Sequence, residues 1–386
     1  QIFGDLINLL HLEGFEENKD LFVFPYDWRL DNKLNANKLK EKIDEILTQT
    51  GSQKVNLVAH SMGGLIAKQY IVDNGEDKVA KLVFIGTPNL GAPKAFKALL
   101  QGDNFGIPLM LNQLEMKKLA QNMTSVYQLL PSQKYFDRFG GYFINRNQLP
   151  DDYITTKNYL IDKNLNTLLL QNAEQFHSNA LDNFSAPNID TYNITGCNTP
   201  TLGRIILRNY FLEGGIIKED YDLEMVAGDG TVPFNSALAV STKNHYYVIN
   251  ADHGKMPSQD GIRQLATQII TGSVNNSELP KNIFSNTSKC FVRRGKLISV
   301  HSPVDLHVYD NFGNHMGLGD NGMIDENIPG AIYENIADNK FIFLPEDENQ
   351  TYTVKLDATA TSTFSFRIAT HKNDETEQVV YYNDIK

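Results

Sequence analysis

The stretch "VNLVAHSMGGLIAKQY", residues 55–70, decides the fold of this chain. Its first half is a short apolar run typical of a buried strand, and its second half has the apolar spacing of an amphipathic helix. Ser61 lies between them, in the pentapeptide "AHSMG". A serine at a strand-to-helix turn, with small residues two places before and after it, is the pattern of a nucleophile elbow. The alternative is that Ser61 only caps the helix.

The segments around this turn repeat the same alternation of strand and helix. The apolar run "LFVFPYDW" is predicted to be a buried strand of a parallel sheet. Such alternation indicates an α/β layer architecture. The predicted strands are 21–28, 54–59 and 80–86, and the predicted helices are 36–49 and 62–74.

The alternation stops near residue 100 and resumes near residue 188. Helical patches without a clear strand fill 101–187, which predicts a cap inserted between sheet strands. After 273 the chain becomes polar and then alternates with period two, which predicts a β-sandwich. The predicted organisation is an α/β-hydrolase-type domain at 1–272, a linker at 273–289 and a sandwich at 290–386.

Composition excludes several classes of protein. Of the 386 residues, 41% are hydrophobic and 21% are charged, as in ordinary globular proteins. A formal net charge of -11 disfavours nucleic acid as a partner. No apolar run approaches the roughly 18 residues that a membrane span needs.

The chain has two cysteines, Cys197 and Cys290. Two are too few for a disulfide framework or a cysteine metal site. They either pair with each other or remain free thiols, and the sequence alone favours free thiols.

A serine nucleophile needs a base, and the base needs a carboxylate that orients it. In a fold with a nucleophile elbow, the chain order is serine, then acid, then histidine. Asp229, in "GDGTVP", follows a predicted strand in a tight loop and is the best candidate for the acid. Asp220 and Asp222 are rivals, but "KEDYDLE" reads as a solvated charged stretch.

The candidate base is His253, in "NADHGKMP", because it lies between the strand predicted at 245–250 and the helix predicted at 259–271. His245 precedes that strand and is predicted to be structural. His60 neighbours the serine, but adjacent residues of an elbow project in different directions, so a packing role is favoured.

The chain resembles the lecithin:cholesterol acyltransferase family of the α/β hydrolases. The resemblance rests on five motifs: "PYDWRL" (25–30), "AHSMGG" (59–64), "GTPNLGAPKAF" (86–96), "SVYQLLPS" (125–132) and "GDGTVP" (228–233). It implies that Ser61 is the nucleophile, Asp229 the acid and His253 the base, acting on acyl esters of lipids.

An oxyanion hole in this fold takes one backbone N–H from the residue after the serine, here Met62. The second donor comes from a loop that would lie upstream of Gln1, and one strand of the sheet is expected to be missing beside 54–59. Losing one such donor typically costs about 100 to 1,000 in rate. We therefore expect the chain expressed alone to be poorly folded and nearly inactive.

Three residues are candidates for the substrate pocket: Trp28, Arg29 and Met110. Trp28 and Arg29 follow a predicted strand and either line the acyl pocket or hold a loop under the cap. Met110 lies in "FGIPLMLNQL" and either contacts lipid as part of a lid or packs within the cap.

The predicted function is that of a serine-dependent lipid ester hydrolase or acyltransferase, which implies no cofactor and no metal. The expected partner is a lipid or acyl-ester substrate, with transient contact between the cap and a lipid interface. The expected location is extracellular or at the cell surface. The alternative is a non-catalytic adhesion protein that uses the hydrolase core as a scaffold and the sandwich for binding.

Overall fold

A computed structural model describes residues 2–103, 113–145, 150–211, 217–301, 303–320, 322–346, 349–361, 363–372 and 375–385. Up to residue 196 its elements are, in order, α1 (Gly4–Leu12), α2 (Asn32–Thr50), β1 (Val55–His60), α3 (Met62–Asn74), β2 (Val79–Ile85), α4 (Pro93–Gln101), α5 (Gln113–Ala120), α6 (Thr124–Gln128), α7 (Gln133–Phe139), β3 (Phe143–Ile144), α8 (Tyr153–Asp162), α9 (Thr167–Phe176), a π-helical turn (His177–Leu181) and β4 (Asp190–Gly196).

The remaining elements are mostly strands. They are β5 (Thr199–Phe211), β6 (Ile217–Gly228), α10 (Phe234–Leu238), β7 (Asn244–Val248), a 3₁₀ helix (His253–Ser258), α11 (Asp260–Thr271), β8 (Ile283–Phe284), β9 (Gly295–His301), β10 (Val304–Asp310), β11 (His315–Leu318), β12 (Ile324–Glu326), β13 (Ile332–Ile336), β14 (Asn339–Pro345), β15 (Tyr352–Ala358), β16 (Phe364–Lys372) and β17 (Glu375–Ile385).

The central sheet has the order β1-β2-β4-β7-β8. The first four strands are parallel and β8 is antiparallel. Side chains of β2 alternate between the two faces: Leu82 and Phe84 pack against α2 and α3, while Val83 and Ile85 pack against α11. A strand buried on both faces is apolar throughout, which is why "KLVFI" shows no alternation. The predicted α/β-hydrolase class is confirmed.

The apolar run 21–28 is not a strand of this sheet, so that prediction was wrong. The order of the sheet places β1 at its edge, and among the described residues no strand pairs with the outer side of β1. Residues 22–27 have no regular secondary structure, and Phe24 and Tyr26 pack against the same buried cluster as side chains of β1. An apolar segment becomes a strand only where an adjacent strand forms hydrogen bonds with its backbone. The apolar pattern of 21–28 was therefore not sufficient to predict a strand.

The cap region is helical, as predicted, and comprises α5 to α9 with the two-residue strand β3. A long antiparallel hairpin, β5 and β6, follows β4 and was not predicted. Together with β3 it forms a separate three-stranded sheet. The motif at 228–233, which carries Asp229 and is called the acid loop below, begins at the end of β6.

The C-terminal region consists of two antiparallel sheets, with the orders β12-β11-β10-β15 and β13-β14-β9-β16-β17. Val308, Met316 and Ile342 are among the buried residues packed between the sheets. The five-stranded sheet also shares a core with the hydrolase region, since Phe341 and Phe343 belong to the same buried cluster as β5, β6 and the cap. The predicted all-β sandwich is therefore present and packs extensively on the rest of the chain.

Cys197 and Cys290 form a disulfide, which corrects the expectation of free thiols. Cys197 directly follows β4, and Cys290 precedes the first strand of the sandwich. The two cysteines are 93 residues apart in the sequence, so the sequence alone did not predict that folding brings them together.

Candidate active site

Ser61 lies at the turn between β1 and α3 in a backbone conformation that L-residues rarely adopt. Its φ is 53° and its ψ is -130°. Its N–H donates to the carbonyl oxygen of Ile85 at 2.9 Å, which ties the turn to the end of β2. Its side chain makes no capping hydrogen bond to any described residue of α3. The alternative role as a side-chain helix cap is therefore wrong, and the strained turn presents the hydroxyl elsewhere.

The hydroxyl of Ser61 meets the imidazole of His253. His253 Nε2 lies 2.9 Å from Ser61 Oγ, and His253 Nδ1 lies 2.8 Å from Asp229 Oδ2. Because an ionised carboxylate can only accept, Nδ1 carries the proton and Nε2 accepts from the serine. The three residues singled out in the sequence thus form one continuous hydrogen-bonded row.

The loop after β6 fixes Asp229 in place. Its Oδ1 accepts from the N–H groups of Val232 and Thr231 at 2.7 and 3.0 Å, so both carboxylate oxygens have partners. The backbone N–H of His253 donates to the carbonyl oxygen of Asp229 at 3.0 Å. The carboxylate is 1% exposed, so its hydrogen bonds face little competition from water.

Two glycines allow close packing at and near this row. A methyl group at Gly86, whose φ is 57°, would lie 3.0 Å from Asp229 Oδ2 and 3.4 Å from His253 Nδ1. At Gly64 a methyl group would lie 2.0 Å from Thr87 Oγ1, whereas at Gly63 its nearest neighbour would be 3.7 Å away. The glycine that the close packing of the elbow requires is therefore Gly64 rather than Gly63.

Asp220 and Asp222, the rival acids, lie in β6 and are buried, so their interpretation as a solvated stretch was wrong. Asp220 accepts from His301 Nδ1 at 2.9 Å, and Asp222 accepts from Arg367 at 2.7 Å. Both contacts join the hairpin to the sandwich. These partners offset part of the free-energy cost of removing the two carboxylates from water.

His60 and His245 lie outside the row. His245 is the second residue of β7, whereas His253 follows the other end of that strand. The Nδ1 atom of His245 accepts a hydrogen bond from the side chain of Asn193 at 3.3 Å. His60 Nε2 lies 2.8 Å from the carbonyl oxygen of His253. Burial and the neighbouring His253 lower the pKa of His60 to about 3, so it is a neutral imidazole. The structure thus gives His60 a specific contact with the candidate base.

Met62, the predicted oxyanion donor, is the first residue of α3. The N–H groups in the first turn of a helix have no intrahelical acceptor and point toward the helix N-terminus. Its side chain is buried with Leu65, Phe176 and Leu181, next to Trp28. The elbow therefore offers a backbone donor beside Ser61.

The row opens onto a cavity of about 2850 Å³. Trp28 lines this cavity and packs against the buried cluster that contains Met62. Arg29 is absent from the lining; its guanidinium binds both carboxylate oxygens of Asp27, at 2.8 and 2.7 Å, with the Arg29 side chain 63% exposed. Met110 lies outside the described residues. Of the three predicted pocket residues, Trp28 thus lines the same cavity as Ser61.

Among the described residues there is neither a candidate metal site nor a helix that could span a membrane. No group of three or more His, Cys, Asp or Glu side chains in these ranges is placed to bind a metal ion. Helices in the same part of the chain are all too short or too polar to cross a bilayer.

Comparison with known families identifies the first half of the chain. The model of the lecithin:cholesterol acyltransferase family matches residues 1–202. The chain belongs to this family. The matched region contains the elbow with Ser61 and ends within β5, ahead of Asp229 and His253.

Relatives within the lecithin:cholesterol acyltransferase family are similar over part of their length. Lecithin-cholesterol acyltransferase-like 4 of Arabidopsis thaliana is 32% identical over 127 residues, 30% of this chain and 24% of that protein. Phosphatidylcholine-sterol acyltransferase of Gallus gallus is 24% identical over 232 residues, 58% and 54% of the two chains. Lysosomal phospholipase A and acyltransferase of Bos taurus is 32% identical over 125 residues, 31% and 30%. The chain spans between about a quarter and about half of these relatives.

The sequence did not predict that the sandwich reaches this site. Met323, Ile324 and Ile332 line the same cavity as Ser61. The period-two pattern predicts strands but carries no information about what each face packs against. The sequence showed Gly86 only as the first residue of the motif at 86–96. Its positive φ and its closeness to Asp229 and His253 explain why a glycine is needed there.

Proposed function

We propose that this chain forms the catalytic part of a serine-dependent lipid ester hydrolase or acyltransferase that works through an acyl-serine intermediate. The observation that carries the proposal is the hydrogen-bonded row of Ser61, His253 and Asp229 at a strained elbow. Membership of the lecithin:cholesterol acyltransferase family supports it, because relatives are named as acyltransferases and phospholipases.

In the first half-reaction, Ser61 Oγ attacks the carbonyl carbon of the ester while its proton passes to His253 Nε2. Asp229 stabilises the imidazolium through the bond to Nδ1. The N–H of Met62 donates to the oxyanion of the tetrahedral intermediate. The C–O bond to the alcohol then breaks, His253 returns the proton to the leaving alkoxide, and the acyl group remains on Ser61.

In the second half-reaction, His253 takes a proton from water or from an acceptor alcohol, and that oxygen attacks the acyl-serine carbonyl. Ser61 leaves with the proton that His253 returns. Water gives hydrolysis and an alcohol gives acyl transfer, with the same residues in the same roles. Trp28, Leu129 and Ile332 are among the apolar side chains that line the cavity, which favours a substrate with an apolar acyl chain.

The proposed function includes the substrate of the enzyme and its location. The substrate is a lipid or another acyl ester, reached at an interface that the cap contacts transiently. The disulfide between Cys197 and Cys290 supports an oxidising location, extracellular or at the cell surface.

Covalent labelling of the full-length protein with a fluorophosphonate probe tests the mechanism. We expect one adduct at Ser61, formed with release of fluoride, and no adduct in the S61A variant. The H253A variant is expected to label at least 100-fold more slowly, because the serine loses its base. A protein that folds but gives no adduct at Ser61 would instead favour the adhesion scaffold.

Product analysis separates the two activities. A phospholipid labelled in its acyl chain is incubated with and without an added long-chain alcohol. A labelled new ester identifies an acyltransferase, and labelled free fatty acid in both samples identifies a hydrolase.

A further inference from the structure

The strand β13 faces the hydrolase region with alternate side chains. Ile332 and Ile336 pack against the large cluster that contains the cap and the β5–β6 hairpin. Glu334, between them, pairs with Lys94 and Lys97 of α4. Tyr333 points the other way, into the core between the two sheets of the sandwich. One face of this edge strand is therefore built to contact the catalytic region.

Ile332 lies directly beside the acid loop. Its Cδ1 would be 3.9 Å from a methyl group placed on Gly230, the residue after Asp229. Ile332 also lines the cavity onto which Ser61 opens. A substrate whose carbonyl carbon meets Ser61 thus has the side chain of Ile332 within the same cavity.

Further apolar side chains of the sandwich continue this surface. We call the set Met323, Ile324 and Ile332 the C-terminal wall; all three line the cavity. Met323 is 58% exposed, although the removal of a large apolar side chain from water lowers the free energy. Apolar surface gathered along a cavity marks a ligand-binding groove. Trp28, Val126 and Leu129 of the hydrolase region line the same cavity.

A buried cluster of charges holds the wall against the catalytic region. Glu334 pairs with Lys97 and, at 3.1 Å, with Lys94, and Lys97 also pairs with Asp103 at 3.0 Å. Burial lowers the pKa of Lys97, but the carboxylates of Asp103 and Glu334 outweigh this effect and leave the pKa raised. Lys97 is therefore charged, and its ion pair with Glu334 connects α4 to β13, the strand that carries Ile332.

We propose that the C-terminal wall binds the acyl chain of the ester substrate and sets the preference for chain length. The sandwich then contributes to substrate selection, while Ser61, His253 and Asp229 belong to the hydrolase region. This inference rests on the proposed function, because it assigns the apolar part of the substrate to a surface beside the reacting serine.

The test compares hydrolysis of p-nitrophenyl butyrate and p-nitrophenyl palmitate by the full-length protein in the same detergent. In the I332W variant the indole fills the groove beside Gly230, and we expect the ratio of kcat/KM for palmitate to that for butyrate to fall at least tenfold. In the I332A variant, which removes apolar contact without blocking the groove, we expect the ratio to fall about threefold. The L318W variant is the control, because Leu318 is an exposed sandwich residue outside the cavity lining; its ratio should equal that of the natural protein.

Each result decides one question. A ratio unchanged in both Ile332 variants, or equal losses on both esters with an unchanged melting temperature, would overturn the proposed wall. If I332W does not fold, I332A alone decides. Absence of butyrate hydrolysis by the natural protein would contradict the proposed function itself, which keeps the two failures apart.

Discussion

The imidazoles of His60 and His253 lie 4.9 Å apart, and His60 Nε2 is 2.8 Å from the carbonyl oxygen of His253. Because a carbonyl oxygen can only accept, His60 donates from Nε2 as a neutral ring. The contact restrains the backbone of the candidate base. It also means that the imidazolium formed at His253 during catalysis has a neutral neighbour rather than a second cation.

Replacing His60 by phenylalanine removes the donor and keeps a ring of similar size. We expect kcat for ester hydrolysis to fall about tenfold with KM unchanged, since the loss of about 1.4 kcal/mol concerns the position of the base rather than substrate binding. The H60Q variant keeps an N–H donor and should recover most of kcat. A rate equal to that of the natural protein in H60F would show that the contact does not position His253.

The buried neutral state of His60 also predicts a dependence of stability on pH. The pKa of His60 is about 3 in the folded chain and about 6.5 when exposed. Below pH 6.5 the unfolded state therefore takes up a proton that the folded state refuses, so stability is lost as the pH falls from 6.5 toward 3. This single group accounts for about 2 kcal/mol of the loss between pH 7.5 and pH 5.

Urea unfolding at several pH values measures this effect. The free energy of unfolding should fall less steeply below pH 6.5 in H60F than in the natural protein, whatever the difference between them at pH 7.5. Parallel curves for the two proteins would contradict a depressed pKa at His60.

The substitution G86A tests the close approach of the backbone to the candidate base and acid. The added methyl group would lie 2.8 Å from Met256 Sδ and 3.0 Å from Asp229 Oδ2, and alanine at a positive φ costs about 1 to 2 kcal/mol. We expect kcat/KM to fall at least 100-fold, because the carboxylate and imidazole must move apart.

Gly51 supplies the matched control for this substitution. It ends α2 with a φ of 71°, and a methyl group there would meet no described atom within 4 Å. G51A should therefore lose a similar 1 to 2 kcal/mol of stability and keep its kcat/KM. Equal activity in G86A and G51A would show that Gly86 is needed only for its backbone conformation.

The parts of the site that sequence could predict are those whose cause is local. The elbow at Ser61 follows from an apolar strand that meets a helix with glycine inside its first turn. The candidate acid and base follow from their places after strands. The interpretation of Asp220 and Asp222 failed because their partners, His301 and Arg367, lie 81 and 145 residues away.

The same physical reason explains the other errors. The run 21–28 has the composition of a strand, but a strand also needs a neighbour, and composition does not supply one. The disulfide and the contribution of the sandwich to the cavity depend on how two distant regions pack. Period two predicted the strands of the sandwich, whereas the faces of β13 could be assigned only after Glu334 was seen beside Lys94 and Lys97.

The buried pairing of Glu334 gives the last prediction. Glu334 is 2% exposed and pairs with both Lys94 and Lys97, so E334Q leaves the buried ammonium group of Lys97 and the half-buried one of Lys94 with less compensation. We expect the free energy of unfolding to fall by about 3 to 5 kcal/mol. The control is E346Q, in which the same substitution breaks an exposed pair with Arg294 and should cost at most about 1 kcal/mol. Chemical denaturation of both variants measures the difference, and equal losses would mean that the cluster does not hold the sandwich to α4.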